Sequence, residues 1–527
     1  MKKKFPLINE VFISLVYFVQ GSAGIVGIAS SLILRERLGL DFFQIGIISA
    51  ASVIPWSIKP LYGLLTDLFP INGYRRKPYL HIGPLLGIFG FLYIAIYARD
   101  FSSFLLAIVF ANIGFGLTDV ATDGLVVEQS DSENVTKLQG LTQASIRIAA
   151  FFTSFFSGLL IYREIFTPFQ MYYLAAVFPA FVFILSFFVK EKKITKKIEH
   201  EAKDLFSPLS IIAIVFIFIA IISNMIFPEF LSSRFYISKT IISLILWSLF
   251  FVWMSMYFLK LKKLKLTTGM IFLAALFILL WRFNPSAGSP LFFYIKDTLG
   301  ISEEKLGFID TASQIGSILA VILSVKFFDK FNLKSLLGLT VIIGGLFGFL
   351  TFAITRSEIA TAIGNNFLIE FLAKILAIPV YFFETLFSKI FSEEFVGFFE
   401  KIKNITAIEN FLFVQNFLSE MVYMIAYIPL LKFIVLICPK KAEATNYAVI
   451  ASIMNIGLAL SSYASGWFYE FFKNPNLPKE SIDLSAIEIL IWINVGTSML
   501  CLFVLPFLKI DFKKEKFLEV PKKSNFC

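Results

Sequence analysis

Two stripes of polar residues interrupt otherwise apolar stretches of this chain, and their residue types suit the handling of charge more than the making of bonds. Asn112, Gly116, Asp119 and Asp123 fall at i, i+4, i+7 and i+11, which puts them on one face of a helix. Asn416, Glu420, Tyr423 and Tyr427 repeat the same spacing later in the chain. Three cations also lie in apolar surroundings: Lys59, Arg147 and Arg282. A charge at mid-bilayer costs about 2.5–3.5 kcal/mol on insertion scales, so each of these needs a partner or a wet cavity. Two carboxylates one turn apart repel, which makes Asp119 and Asp123 candidates for carrying a coupling proton. A close basic partner would instead leave them in a fixed ion pair, and the spacing alone leaves both roles open.

The arginines suit a different task. A guanidinium fork offers paired bonds to a carboxylate. Arg282 opens WRFNPSAGSP, where Pro285 and Pro290 lack backbone N–H groups and loosen the helix around it. Arg147 extends a stripe of Gln139 and Gln143. For Lys59 mutual neutralisation with Asp119 is favoured over contact with a ligand. Trp56, Tyr423 and Tyr427 share helices or faces with these charges and are the aromatic candidates for a binding site. With two histidines, and with Cys438, Cys501 and Cys527 at no ligand-like spacing, the sequence supports neither catalytic residues, nor a metal site, nor a cofactor. An enzyme is not expected.

The elements that must position these residues are membrane-spanning helices. Hydrophobic residues make up 57% and charged residues 16% of the 527, and mean hydropathy is +0.80. A soluble domain carries about 25% charged residues, so this chain lacks the polar surface to cover itself in water. Apolar runs predict spans near 11–34, 42–66, 79–98, 101–127, 139–162 and 170–189. Two more fall at 207–227 and 240–259, then six at 268–294, 303–325, 335–354, 408–437, 442–469 and 486–508, about 14 in all. The first is too long for a signal-peptide core. The net charge of +10 sits in short Lys/Arg clusters between spans, a topology signal and not a nucleic-acid stripe. Those clusters put both termini and the 190–204 connector in the cytoplasm, although the acidic loop Glu128 to Lys137 breaks the pattern.

The chain is internally repeated. LILRERLGLDFFQIG from Leu32 matches FFYIKDTLGISEEKLG from Phe292, pairing Leu38-Gly39 with Leu299-Gly300 and Gly46 with Gly307. Ala144-Ser145-Ile146 pairs with Ala451-Ser452-Ile453 at a larger offset, as an insertion in the second half requires. Parallel six-helix halves follow: residues 1–190 and 266–510, with a connector and inserted hairpin at 191–265 and a tail at 511–527. The insertion near 359–403 reads as amphipathic helices at the outer interface.

The most specific segment runs from Lys59 to Leu80, KPLYGLLTDLFPINGYRRKPYL. With Trp56, its Lys59-Pro60, Gly63, Asp67, Pro70, Gly73, Arg75-Arg76 and Pro78-Tyr79 resemble the helix 2–3 signature of the folate/biopterin transporters of the major facilitator superfamily. Asp119 and Asp123, Arg282 with Pro285-Ser286, and Cys438-Pro439 with Glu443-Ala444-Thr445, Ser452 and Asn455 resemble further signatures of that family. The resemblance implies a major facilitator fold in which the first, fourth, seventh and tenth spans line a central cavity. It implies secondary-active, proton-coupled transport of a folate- or pterin-class anion by a monomer in the cell (inner) membrane. Arg282, Arg147, Trp56, Glu420, Tyr423 and Tyr427 would then contact substrate, and Lys59, Asp67, Arg75, Arg76 and Glu443 would form gates. Muropeptide and acetyl-CoA permeases share a looser version of the basic loop and stay as alternatives, as does a receptor that binds without transporting.

Overall fold

The computed structural model describes residues 6–129, 132–193, 268–327, 331–391, 398–437, 443–478, 480–508, 510–511 and 516–517, and absences noted below hold among these. The inserted hairpin, most of the basic connector and nearly all of the tail lie outside them, as do the side chains of residues 128–137, a segment expected as a loop but helical up to Gln129 and again from Ser132.

The described residues are helical almost throughout. The N-terminal set comprises α1 (Leu7–Gly21), α2 (Gly27–Leu32), α3 (Phe42–Ser57), α4 (Lys59–Leu68), α5 (Lys77–Ile96), α6 (Phe101–Gln129), α7 (Ser132–Tyr162) and α8 (Met171–Ser186). The C-terminal set begins with α9 (Thr268–Arg282), α10 (Gly288–Phe293), α11 (Glu303–Phe327) and α12 (Leu333–Ile354). It continues through α13 (Ser357–Gly364), α14 (Phe367–Phe391), α15 (Phe398–Lys403), α16 (Ala407–Ile437), α17 (Glu443–Phe472), α18 (Leu484–Met499) and α19 (Cys501–Val504). A two-residue strand pair, β1 (Ile510–Asp511) with β2 (Lys516–Phe517), follows. Nine described helices are long and apolar enough to cross a membrane by length and composition, and Phe89, Phe181, Ile184 and Leu346 point outward from the bundle. The chain is a multi-pass membrane protein.

Local chemistry explains the breaks. Asp41 caps α3 by accepting from the Gln44 N–H at 2.7 Å, while Gln44 returns a bond to the Asp41 N–H at 3.1 Å. The seventh span, placed at 268–294 with its helix loosened at Pro285 and Pro290, is interrupted. α9 stops at Arg282 and helix resumes at Gly288, because Pro285 has no N–H to bond the preceding turn. Asn494 donates to the Pro285 carbonyl at 3.0 Å in compensation.

The duplication reaches the backbone. The turn at Ile33–Arg37 and the turn at Tyr294–Thr298 are both π-helical, and each leads to a glycine in the left-handed region, Gly39 at φ 63° and Gly300 at φ 69°. Further on, Gly46 and Gly307 occupy equivalent crossings between the two helix sets. α3 crosses α17 so closely that a Cβ on Gly46 would lie 2.8 Å from the Ser462 carbonyl oxygen. α11 crosses α7 in the same manner, with a Cβ on Gly158 falling 1.9 Å from the Glu303 carbonyl oxygen. Around these crossings Phe155 stacks on Phe308 at 5.3 Å, Phe42 meets Tyr469 at 4.7 Å, and Lys296 reaches Glu36 at 2.8 Å. The bundle is therefore closed at this end.

The described residues of the 359–403 segment are largely helical, and they shield this closed end. α13 and α14 meet at 81°. α14 buries Ala373, Ala377, Val380, Tyr381 and Glu384 against its neighbours and leaves Phe371, Ile375, Ile378 and Phe382 exposed. Glu384, 2% exposed, accepts from Arg163 just beyond α7 at 2.7 Å, from Ser388 at 2.7 Å and from Lys401 of α15. Removing one partner of such a buried pair costs about 3–5 kcal/mol, so α14 is fastened to the N-terminal helices as well as to its own.

Candidate functional site

The sequence-predicted residues separate into three groups. The first lies within the N-terminal helices. Asp119 on α6, 3% exposed, accepts from the Lys59 ammonium at 2.6 Å and from Gln20 at 2.6 Å. Asp123, one turn on, accepts from the Tyr17 hydroxyl. The Trp56 ring lies 5.0 Å from the Lys59 ammonium, and its indole N–H donates to Asn112 at 2.8 Å. Asn455 of α17 donates to the Trp56 carbonyl at 2.9 Å. Lys59 and Asp119 thus neutralise one another, and Trp56 covers that pair. Tyr17 and Gln20 were not singled out from the sequence. Their signal was a polar pair three apart on the first apolar helix.

The second group straddles both helix sets. Arg147 of α7 approaches Glu420 of α16 at 3.8 Å, and its other terminal nitrogen meets the Met424 sulfur at 2.9 Å. Its Nε is buried without a hydrogen-bond partner. Arg282, the last residue of α9, donates to the Tyr423 hydroxyl, and its Nε is likewise buried and unpartnered. Tyr423 stacks on Tyr427 with ring centroids 5.8 Å apart and planes 13° apart, and Trp281 lies 5.9 Å from each ring. Glu420 is within electrostatic reach of Arg147, Arg282 and Asp310. Trp281 and Asp310 were missed from the sequence. Trp281 directly precedes Arg282, and Asp310 begins a stripe with Ser313, Gln314 and Ser317 on α11.

The third group sits at the opposite end of the bundle from Arg163. Asp67, at the end of α4, pairs with Arg76 at 2.5 Å, and Arg76 also donates to Thr66. The Arg76 guanidinium lies against α6 at Gly124, where an added Cβ would be 2.5 Å from its central carbon and would push the arginine aside. Glu191, in the basic connector, accepts from the N–H groups of Arg75, Arg76 and Lys77 at 3.0, 3.0 and 2.8 Å. These are orphan donors at the start of α5, where a carboxylate also complements the helix dipole. Glu443 opens α17, but its side chain lies outside the described residues.

The second group leaves two guanidinium nitrogens, one on each arginine, without a hydrogen-bond partner. A buried donor on a charged group left unpaired costs about 1–3 kcal/mol or more, and the one on Arg282 lies beside the stacked Tyr423 and Tyr427 rings and the tilted Trp281 ring. No group of three metal-ligating side chains occurs among the described residues.

Comparison with known proteins bears on the family and the fold. A sequence model of the BT1 family matches residues 20–382 and 399–521. The folate-biopterin transporter of Synechocystis sp. is 24% identical over 450 residues, covering 85% of this chain and 72% of its own length. Folate transporter 1 of Plasmodium falciparum is 24% identical over 393 residues, covering 71% of this chain and 66% of that protein. A crystal structure of a POT family transporter in complex with 5-aminolevulinic acid superposes with a TM-score of 0.62 at 12% identity, covering 96% of this chain and 99% of that one. At that identity the likeness is one of fold, and the fold is the major facilitator architecture expected from the sequence.

Proposed function

The chain belongs to the BT1 family, and on that premise we propose that it carries a folate- or pterin-class anion across a membrane by alternating access. One observation carries the reading: the Arg147 and Arg282 guanidinium groups are incompletely bonded, both lie within electrostatic reach of Glu420, and Arg282 sits beside the Trp281, Tyr423 and Tyr427 rings. The anionic group of the substrate would take the open nitrogens and its flat ring would stack on the aromatics. The names of the relatives, folate-biopterin transporter and folate transporter, support the same substrate class. In this reading residues 1–190 and 266–510 are the two halves that rock about the site. The termini face the cytoplasm, the cell (inner) membrane is the location, and the monomer is the working unit. Asp67, Arg75, Arg76 and Glu443 gate the cytoplasmic end, and Trp56 bears on the Lys59–Asp119 pair instead of on substrate.

Proton coupling falls to Asp123 in preference to Asp119. The Lys59 ammonium holds Asp119 in an ion pair, whereas Asp123 is hydrogen-bonded to a neutral phenol. Asp123→Asn should abolish pH-driven accumulation yet keep exchange at equal concentrations. Unchanged pH dependence in that variant would move the coupling role to another carboxylate.

The deciding experiment is counterflow of radiolabelled folate in proteoliposomes of the full chain, run beside a muropeptide and acetyl-CoA. Folate counterflow is the expected result. Binding without counterflow would make the protein a receptor, and counterflow of either other compound in its place would reassign the substrate.

A further inference from the structure

Three charged side chains, Arg147, Arg282 and Asp310, lie around Glu420, and two of the three have no ionic partner within 4 Å among the described residues. Arg147 is matched, loosely, by Glu420. Arg282 is bonded to the neutral hydroxyl of Tyr423. Asp310 of α11 is bonded only to the hydroxyls of Ser154 and Ser313, although its carboxylate is exposed. The site therefore holds one unmatched cation and one unmatched anion, not a simple excess of positive charge. An ionised carboxylate has about four lone-pair positions, and two hydroxyls leave a pair of them open.

We propose that Asp310 is a specificity-determining residue that accepts two parallel N–H donors from the ring edge of a dipolar ligand whose anionic group is held at Arg282. This rests on the transport reading above and names the second point of recognition within it. The matching ligand chemistry is an amidine-like edge, such as ring N3–H with the exocyclic amino group of a 2-amino-4-oxopteridine. Such an edge meets a carboxylate in the same paired geometry that a guanidinium does. Ser154 belongs to α7, so Asp310 is held from across the seam between the two helix sets, and its ligand would bridge that seam.

The test is binding to the purified full-length protein with three probes. Pterin-6-carboxylate offers both the anion and the donor edge. Lumazine-6-carboxylate replaces the amino group by an oxo acceptor, and p-aminobenzoylglutamate offers an anion with no such edge. Wild type should prefer the pterin to the lumazine by about 10- to 100-fold, the range for a charge-assisted pair. In Asp310→Asn and Asp310→Ser that ratio should fall to within about twofold of unity, while affinity for p-aminobenzoylglutamate changes by no more than about twofold. A wild-type protein that binds both pteridines equally overturns the inference without using a variant. So does a folded Asp310 variant that keeps the full preference, as a carboxylate serving only in proton coupling would. If wild type binds none of the three anions, the transport reading itself fails and takes this inference with it.

Discussion

Lys59–Asp119 and Arg282–Tyr423 both place a cation within the bundle, but they differ in how completely it is bonded. Around Asp119 each partner is ionic or strongly polar: Lys59 at 2.6 Å, Gln20 at 2.6 Å, with Trp56 over the ammonium and Asn112 holding the indole. Around Arg282 the one bonded partner is a phenol, and the Nε has none. Sequence spacing made the two stripes equivalent. Satisfaction of the buried groups sets the two clusters apart, and the incompletely bonded one is the cluster we propose a ligand completes.

The difference is tested most severely at Lys59. Lys59→Ala would leave the Asp119 carboxylate buried without its cation, at a cost of about 3–5 kcal/mol in stability. The variant should unfold in detergent at a clearly lower midpoint and reconstitute poorly. Lys59→Met combined with Asp119→Asn should recover most of the loss, since removing both charges leaves nothing uncompensated and the introduced amide oxygen can still accept from Gln20. A Lys59→Ala protein as stable as wild type would mean that this cluster is also open to solvent or ligand.

Arg282→Ala should give the converse pattern. Its guanidinium has no ion pair to lose, so the unfolding midpoint should stay near that of wild type. Substrate affinity should fall by about 1.5–3 kcal/mol, or roughly 10- to 100-fold. Arg282→Lys keeps the charge but not the fork and should recover only part of the affinity. Titration calorimetry with folate reads both variants, and wild-type affinity in Arg282→Ala would remove this residue from the site.

The sequence made the first contrast half legible. Apolar runs located the helices because the hydrocarbon core imposes a length that composition alone reveals. The repeat was visible because two glycines after a π turn cannot be replaced cheaply, and Gly39 and Gly300 mark both copies. Asp310 escaped notice because it has no equivalent in the first half, where the matching position is Ser49, and attention went to stripes that recur. Glu191 escaped because its job is to bond backbone N–H groups, and nothing in KEKK distinguishes that from a charge in a basic linker. The break in the seventh span was signalled by Pro285, but its extent depended on the tertiary bond from Asn494. Whether a buried charge is satisfied is a property of packing, and residue order does not encode it directly.

The smallest effect is expected at Asp67, where the sequence suggests a latch. The carboxylate is 43% exposed, so its pair with Arg76 is weakened by solvent and worth up to about 1 kcal/mol. Arg76 keeps its bond to Thr66 and its slot against Gly124 when that carboxylate is neutralised, and Glu191 continues to hold the start of α5. Asp67→Asn should therefore shift the population between inward- and outward-open states by no more than about fivefold. Transport rate would change by a similar factor, with substrate affinity unaltered. Spin labels across the Asp67 end, read by pulsed distance measurements beside counterflow rates, check both numbers. Abolished transport in a folded Asp67→Asn protein would show that this half-exposed pair controls the gate far more tightly than its screening allows, and that Thr66, Gly124 and Glu191 cannot hold Arg76 without it.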